Sequence, residues 1–304
     1  EARTWFKRLE DGDKEATELW ELFRELSLKE FKKYYAFLEI DFESYAGESF
    51  YSSMLDDVVK EAKKKAKAEM SEGALVVKLD EQNMPPLILK KSDGASTYHT
   101  RDLAAALYRL QTYKPAKILY VVGAPQKLHF KQLFTVLEMM GREKDAFVHI
   151  DFGHFTGMST RKGNIIFLEE VLDKAVDLAQ EIIEEKNPAL KKKKEVAKMV
   201  GLGAVIFADL SADRTRDVIF DWKKVISFEG ETGPYLQYTH ARCTSILRKA
   251  ATKARKKPDL SLLTTDQETA LIKHLAFFPQ AVKEAAASYK PSVIAHYLLK
   301  TAAL

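Results

Sequence analysis

Apolar residues in the stretch "DKEATELWELFRELSLKEFKKYYAFL" (13–38) recur every three or four positions, and the first forty residues share this rhythm. It predicts amphipathic helices. "DFESYAGES" breaks the pattern, and a Lys-rich helix is predicted over 50–70. "GALVVKL" (73–79) and "PLILKK" (86–91) have the length and composition of short strands, joined by a turn containing Pro85 and Pro86. A polar turn, "SDGASTYHT", then leads into the helical stretch "RDLAAALYRLQTY". "AKILYVVG" (116–123) predicts a wholly apolar strand, "QKLHFKQLFTVLEMMG" a helix ending at the cap residue Gly141, and "AFVHIDF" (146–152) another strand. After residue 165 the pattern is nearly all helical. "FLEEVLDKAVDLAQEIIEEK", "KEVAKMVGLGAVIFADL" and "YLQYTHARCTSILRKAATKARKK" each carry an amphipathic stripe, and "DRTRDVIFDWKKVISFEGETG" is a polar connection among them.

Strand and helix alternating with crossovers of this length predict an α/β fold with a parallel, doubly wound sheet. Ligands of such sheets bind beyond the carboxyl ends of the strands. "VVGAPQ" and "DFGHFTGMSTRKG" both lie at such ends. No internal repeat or low-complexity linker divides the chain. A boundary near Gly230 separates residues 1–229 from a second, helical domain over 230–304.

Composition narrows the picture only a little. With 304 residues, 46% apolar and 30% charged, the chain is long enough for one large and one smaller domain with a real core. No stretch approaches the roughly 18–20 apolar residues that span a bilayer. The start, "EARTWFKRLE", lacks a secretory pattern and reads as the middle of a helix, so the chain is expected to begin inside a longer protein. The single cysteine, Cys243, allows no internal disulfide and no cysteine-cluster zinc site, which fits a reducing, cytoplasmic setting. Its place on an apolar helical face predicts a small buried hydrophobe. The net charge of +4 is compatible with a nucleic-acid partner without requiring one. "KKKK" (191–194) reads as a solvated run.

The stretch with most chemical content is "FTGMSTRKGNIIFL" (155–168). Gly157 and Gly163 let the backbone close over a ligand, Ser159 and Thr160 offer hydroxyls, and Arg161 and Lys162 offer positive charge. Such a set can neutralise a triphosphate as charge moves onto departing pyrophosphate. On residue types alone an exposed basic turn accounts for it more simply.

The order of motifs goes further. "GMSTRKG" resembles the KMSKS loop of class I aminoacyl-tRNA synthetases, in the variant of the arginyl enzymes. "STYHTRDLAAALYR" resembles that family's "YATRDLAAA" segment, and "LYVVGAPQKLHFKQLFTVLEMMG" its strand-to-helix element. "FADLSADRTRDVIFDW" and "FEGETGPYLQYTHAR" resemble its junction with the anticodon-binding domain. The similarity covers essentially the whole chain. It implies the second half of a Rossmann-like parallel-sheet catalytic domain followed by a mostly α-helical anticodon-binding domain.

The resemblance also implies site roles. Asp102 matches the carboxylate that receives the arginine guanidinium, whose planar fork a carboxylate can accept in parallel. Read alone, Asp102 is an acid in the first turn of a helix, where the helix dipole favours it. Tyr98 matches the residue supporting the arginine side chain, by hydrogen bond or ring packing. Gln126 would orient the amino acid. Gly123 would allow close backbone approach to the nucleotide, and His129 and Gln132, three apart on one helix face, would border the adenosine pocket. His129 alone reads first as a satisfied structural histidine. Met158, Ser159, Thr160, Arg161 and Lys162 match the catalytic loop, flanked by the nucleotide-binding Gly157 and Gly163. Tyr235, Gln237, Tyr238 and Arg242 become candidates for tRNA contact through stacking and hydrogen bonds, or else simply join the two domains.

Two departures stand out. Gly157 occupies the place of the loop's usual first lysine, with Thr160 at its fourth position, and no HIGH-type motif is found. "HIDFGH" (149–154) is the nearest string and lies on the wrong side of the strand order. The chain therefore reads as a synthetase fragment lacking the part with the HIGH-type motif and the end of the anticodon-binding domain, and inactive in isolation. The implied reaction is ATP-dependent attachment of arginine to its tRNA through an arginyl-adenylate, with ATP and Mg2+ as cofactors. The expected protein is monomeric, with no membrane partner and no residue assigned as a protein ligand to a metal. The rival is a tRNA-binding paralogue without ligase activity.

Overall fold

The computed structural model describes residues 2–153, 167–217, 227, 229–250 and 259–304. The chain divides into two compact units, Glu1–Asp151 and Phe152–Leu304.

The first unit opens with α1 (Ala2–Glu10) and α2 (Lys14–Phe37). The break between them is capped by Asp13, whose carboxylate accepts from the Ala16 N–H at 3.0 Å. A 3-10 helix over Glu48–Met54 leads into α3 (Leu55–Lys65). The helix predicted over 50–70 is thus shorter and begins as a tighter turn. It stops because Lys67 takes φ 53°, a left-handed angle that no glycine or proline announces.

A three-stranded antiparallel sheet follows, with β1 (Glu69–Ser71), β2 (Ala74–Val77) and β3 (Leu87–Lys90) in that order. β1 and β2 are joined by Glu72 at φ 49° and Gly73 at φ 81°, and two positive-φ residues are what a tight two-residue hairpin requires. Leu87 and Leu89 of β3 point into the core while Ile88 between them faces out.

α4 (Tyr98–Tyr113) lies against β3, and its start is tied there by side chains. The Thr100 hydroxyl donates to Leu89 O at 2.6 Å, and the Thr97 hydroxyl donates to Ile88 O. The run Leu103–Ala106 is fully buried, its alanines permitting close approach to neighbouring elements. β4 (Ile118–Gly123), α5 (Lys127–Met139) and β5 (Phe147–Phe152) then form a strand–helix–strand unit whose two strands share a parallel sheet. Gly141 ends α5 at φ 84°, its N–H on Glu138 O and the Arg142 N–H on Leu137 O. That pair of bonds is the Schellman arrangement expected of a cap glycine. The wholly apolar reading of β4 needs one correction. Burial alternates along it, with Leu119 and Val121 exposed at 47% and 65%, because only one face of this strand is covered by described residues. One core joins α3, β2, β3, α4, β4 and α5, with Leu79, Leu103, Leu133, Val136 and Leu137 at its centre.

Among the described residues, the second unit beyond the end of β5 is built from helices, with α6 (Leu168–Lys186), α7 (Lys193–Ser211), α8 (Gly233–Lys249), α9 (Asp266–Ala276), α10 (Phe278–Ser288) and α11 (Pro291–Ala303). α6 and α7 pack along their length, and α7 also packs against α8 and α11. Lys192 takes φ 61° just before α7, and Lys191, Lys192 and Lys194 are exposed, as a solvated run should be. Cys243 is exposed rather than buried. α8 meets its neighbours through its first turns, where Gly233 and Pro234 are buried, and from His240 to Lys249 only Ser245 is even partly covered.

Candidate active site

α4 starts at Tyr98, so Tyr98 and Asp102 stand four residues apart on one helical face. Asp102 therefore lies in the second turn, and the helix-dipole account of this acid does not hold, since that effect is confined to the first turn. α5 starts just after the carboxyl end of β4 and brings His129 to the same place. His129 Nε2 lies 2.8 Å from Asp102 Oδ2. The histidine side chain is 7% exposed and the aspartate 31%. A carboxylate held at one oxygen and open at its rim results.

Aromatic rings surround the histidine of this pair. The Tyr98 ring stacks on His99 at 4.2 Å between centroids and sits 5.0 Å from His129, while His99 and His129 are 4.7 Å apart. Phe130 meets His129 edge-on at 4.9 Å. Tyr98 keeps 53% of its surface exposed, leaving it free to cover a ligand. His99 is buried with neither ring nitrogen hydrogen-bonded. Burial first, and the adjacent His129 second, push it down to about 4.

The neighbouring Arg101 faces elsewhere. Its guanidinium is 12% exposed, 2.7 Å from Glu10 and 3.6 Å from Glu48, so its charge is neutralised within the unit. Gln126 is exposed at the turn between β4 and α5. Gly123 closes β4 at φ −55° and ψ 147°, angles open to any residue, so its backbone conformation alone does not demand glycine. The Gln132 amide donates to Pro85 O at 2.7 Å and is buried, tying α5 to the turn before β3. The structure thus gathers Tyr98, Asp102 and His129 and adds His99, which sequence reasoning passed over. Its signal was its place between Tyr98 and Asp102, but burial of a histidine cannot be read from spacing. Gly157, Met158, Ser159, Thr160, Arg161, Lys162 and Gly163 lie outside the described residues.

In the second unit the four candidates for tRNA contact divide. The Tyr235 hydroxyl donates to Ala302 O at 3.2 Å, joining α8 to α11, and the Gln237 amide donates to Met199 O at 3.1 Å, joining α8 to α7. Tyr238, 53% exposed, and Arg242 present their side chains to solvent.

Comparison with known proteins decides the family. A profile described as "tRNA synthetases class I (R), catalytic domain" matches residues 1–222, and one described as "DALR anticodon binding domain" matches 236–304. The chain belongs to the class I arginyl-tRNA synthetase family. It is 50% identical to a protein named arginine–tRNA ligase from Halothermothrix orenii, over 99% of this chain and 54% of that protein. The identity is 52% to the protein of the same name from Clostridium perfringens, over 99% of this chain and 54% of that one. The fold matches the arginyl-tRNA synthetase of Plasmodium falciparum at a TM-score of 0.88 and 25% identity, over 97% of this chain and 52% of that one. It matches the Thermus thermophilus arginyl-tRNA synthetase at 0.74 and 29% identity, over 83% and 49% of the two chains. The chain spans about half the length of the curated relatives it matches. Among the described residues no helix is long and apolar enough to cross a membrane.

Proposed function

We propose that this synthetase chain takes part in attaching arginine to its tRNA at the expense of ATP, through an arginyl-adenylate. The observation that carries this reading is the half-open Asp102 carboxylate, fixed by His129, whose ring also meets that of Tyr98, one helical turn before Asp102. A carboxylate with one free edge beside an exposed aromatic face suits a planar cation, which can donate two parallel hydrogen bonds and lie against the ring. Lysine, with a point charge and no fork, would leave one of those bonds unmade.

Arginine's carboxylate would then attack the α-phosphate of ATP, releasing pyrophosphate, and the terminal ribose hydroxyl of the tRNA would take the arginyl group from the adenylate, releasing AMP. The chain's contribution is placement. Gln126, exposed beside the carboxyl end of β4, would orient the amino acid, and the approach of the nucleotide would pass over Gly123. The buried side chain of Gln132 would support that pocket from behind through its bond to Pro85. Residues 157–163 would close over the phosphates, the Ser159 and Thr160 hydroxyls and the Arg161 and Lys162 charges opposing the developing negative charge. Mg2+ would supply further countercharge at the phosphates. Two domains, 1–229 for catalysis and 230–304 for the anticodon region, would divide the work, with Tyr238 and Arg242 on the tRNA side.

Asp102→Ala in the complete protein tests the reading. Two charge-assisted hydrogen bonds are lost, so arginylation at limiting arginine should fall by about two to four orders of magnitude. Near-normal saturation with arginine would sink the assignment.

A further inference from the structure

We infer that His129 is a positioning residue for arginine selection, holding the Asp102 carboxylate in the one orientation that can accept a guanidinium. This rests on the reading of Asp102 as the arginine-binding carboxylate and moves His129 from the nucleotide pocket to the amino-acid side of the site.

Three observations carry it. First, the Nε2···Oδ2 distance of 2.8 Å joins a histidine that is 7% exposed to a carboxylate that is 31% exposed, so the bond lies on the inner edge and the outer edge stays open. Second, His129 Nδ1 is buried with no partner. An orphaned N–H there costs more than a bare lone pair, which assigns the proton to Nε2, where it donates to Asp102. Third, the imidazole cannot swing away, since the rings of Tyr98, His99 and Phe130 contact it at centroid distances of 5.0, 4.7 and 4.9 Å. An aspartate on a helix has two free torsions, and pinning one oxygen to an immobile donor fixes the plane of the carboxylate. Bidentate recognition needs that plane fixed, because a guanidinium meets both oxygens in one plane. The same ring contacts link His129 to Tyr98, so the two groups that would touch arginine share one support.

The test measures arginylation by the full-length enzyme with His129→Leu, His129→Gln and Asp102→Asn. Leucine keeps much of the volume and loses the donor. Glutamine keeps an amide N–H at about the position of Nε2. His129→Leu should raise KM for arginine about tenfold or more while KM for ATP stays within about twofold, and His129→Gln should recover most of the loss. A rise in KM for ATP with arginine unaffected would overturn the inference and restore a nucleotide role. Glutamine no better than leucine would also overturn it. If His129→Leu is insoluble, His129→Gln and nitrogen-15 NMR of the wild-type imidazole remain, and a proton found on Nδ1 instead of Nε2 would refute the assignment. Asp102→Asn separates the two levels. A large loss there with normal His129→Leu defeats only this inference, whereas normal arginine saturation in Asp102→Asn defeats the underlying reading of the site.

Discussion

At the scale of single residues, the candidate site depends on how the start of α4 is fastened. The Thr100 hydroxyl is fully buried and donates to Leu89 O at 2.6 Å. Thr100→Val keeps the shape and removes the donor. Leu89 O retains the Thr97 N–H at 3.2 Å, so the acceptor is not orphaned. The expected loss is therefore at the low end for a buried hydrogen bond, about 1 kcal/mol by urea unfolding. A loss above about 3 kcal/mol would mean that the hydroxyl has a further partner. His99 adds a pH dependence. Its imidazole is held down at about 4, against an ordinary value of 6.5. Between these values the unfolded chain binds a proton that the folded chain refuses. Stability contributed by neutral His99 is thus fully present above about 6.5, falls as pH drops toward about 4, and levels off below. Urea midpoints across this range should fall less steeply for His99→Leu than for the wild type. Equal slopes would mean that His99 is solvated in the folded chain.

At the scale of elements, close helix crossings are where one methyl decides the outcome. A Cβ on Gly201 of α7 would lie 2.7 Å from Ala175 O of α6, a backbone atom that cannot yield without moving the helix. Gly203, two residues on, would place its Cβ 2.5 Å from the Gln237 amide nitrogen, the far end of a flexible side chain. Gly201→Ala should destabilise by about 1–3 kcal/mol despite alanine's better helix propensity. Gly203→Ala should be near neutral, because a propensity gain of about 1 kcal/mol offsets the displaced Gln237 bond. Thermal unfolding of the pair checks both, and a reversed order would show that α6 and α7 do not cross closely at Gly201. Elements of this kind were legible in part. Periodicity identified α2, α6 and α7, and the apolar runs identified β2 to β5. Hidden features were the ones set by tertiary contact: β1, which needs its partner to exist, the end of α3 at Lys67, and the exposure of Cys243. For the site, the motif order marked Tyr98 and Asp102. No spacing rule could tell that His129 turns its ring toward Asp102 or that Gln132 turns toward Pro85.

At the scale of the whole molecule, a net charge of +4 over 304 residues is a weak long-range attraction for a polyanion. Affinity for tRNA in the proposed function must then come from a few local contacts, and α8 shows which of its side chains are available. Tyr235 and Gln237 use their polar atoms to bind α8 to α11 and α7, while Tyr238 and Arg242 face solvent. Arg242→Ala should therefore weaken tRNA binding and lower the slope of log Kd against log salt by about one if it meets a phosphate. Tyr238→Ala should weaken binding with the slope unchanged, since a stacking contact worth about 1–3 kcal/mol releases no counterion. Tyr235→Phe should leave tRNA binding as it is and cost about 0.5–1.5 kcal/mol of stability, the net worth of one hydrogen bond. Filter binding of the full-length protein at several salt concentrations, with unfolding curves alongside, separates the three. If Tyr235→Phe weakens tRNA binding at unchanged stability, the hydroxyl serves the RNA and not the joint between α8 and α11, and the division of labour along α8 is the reverse of the one proposed.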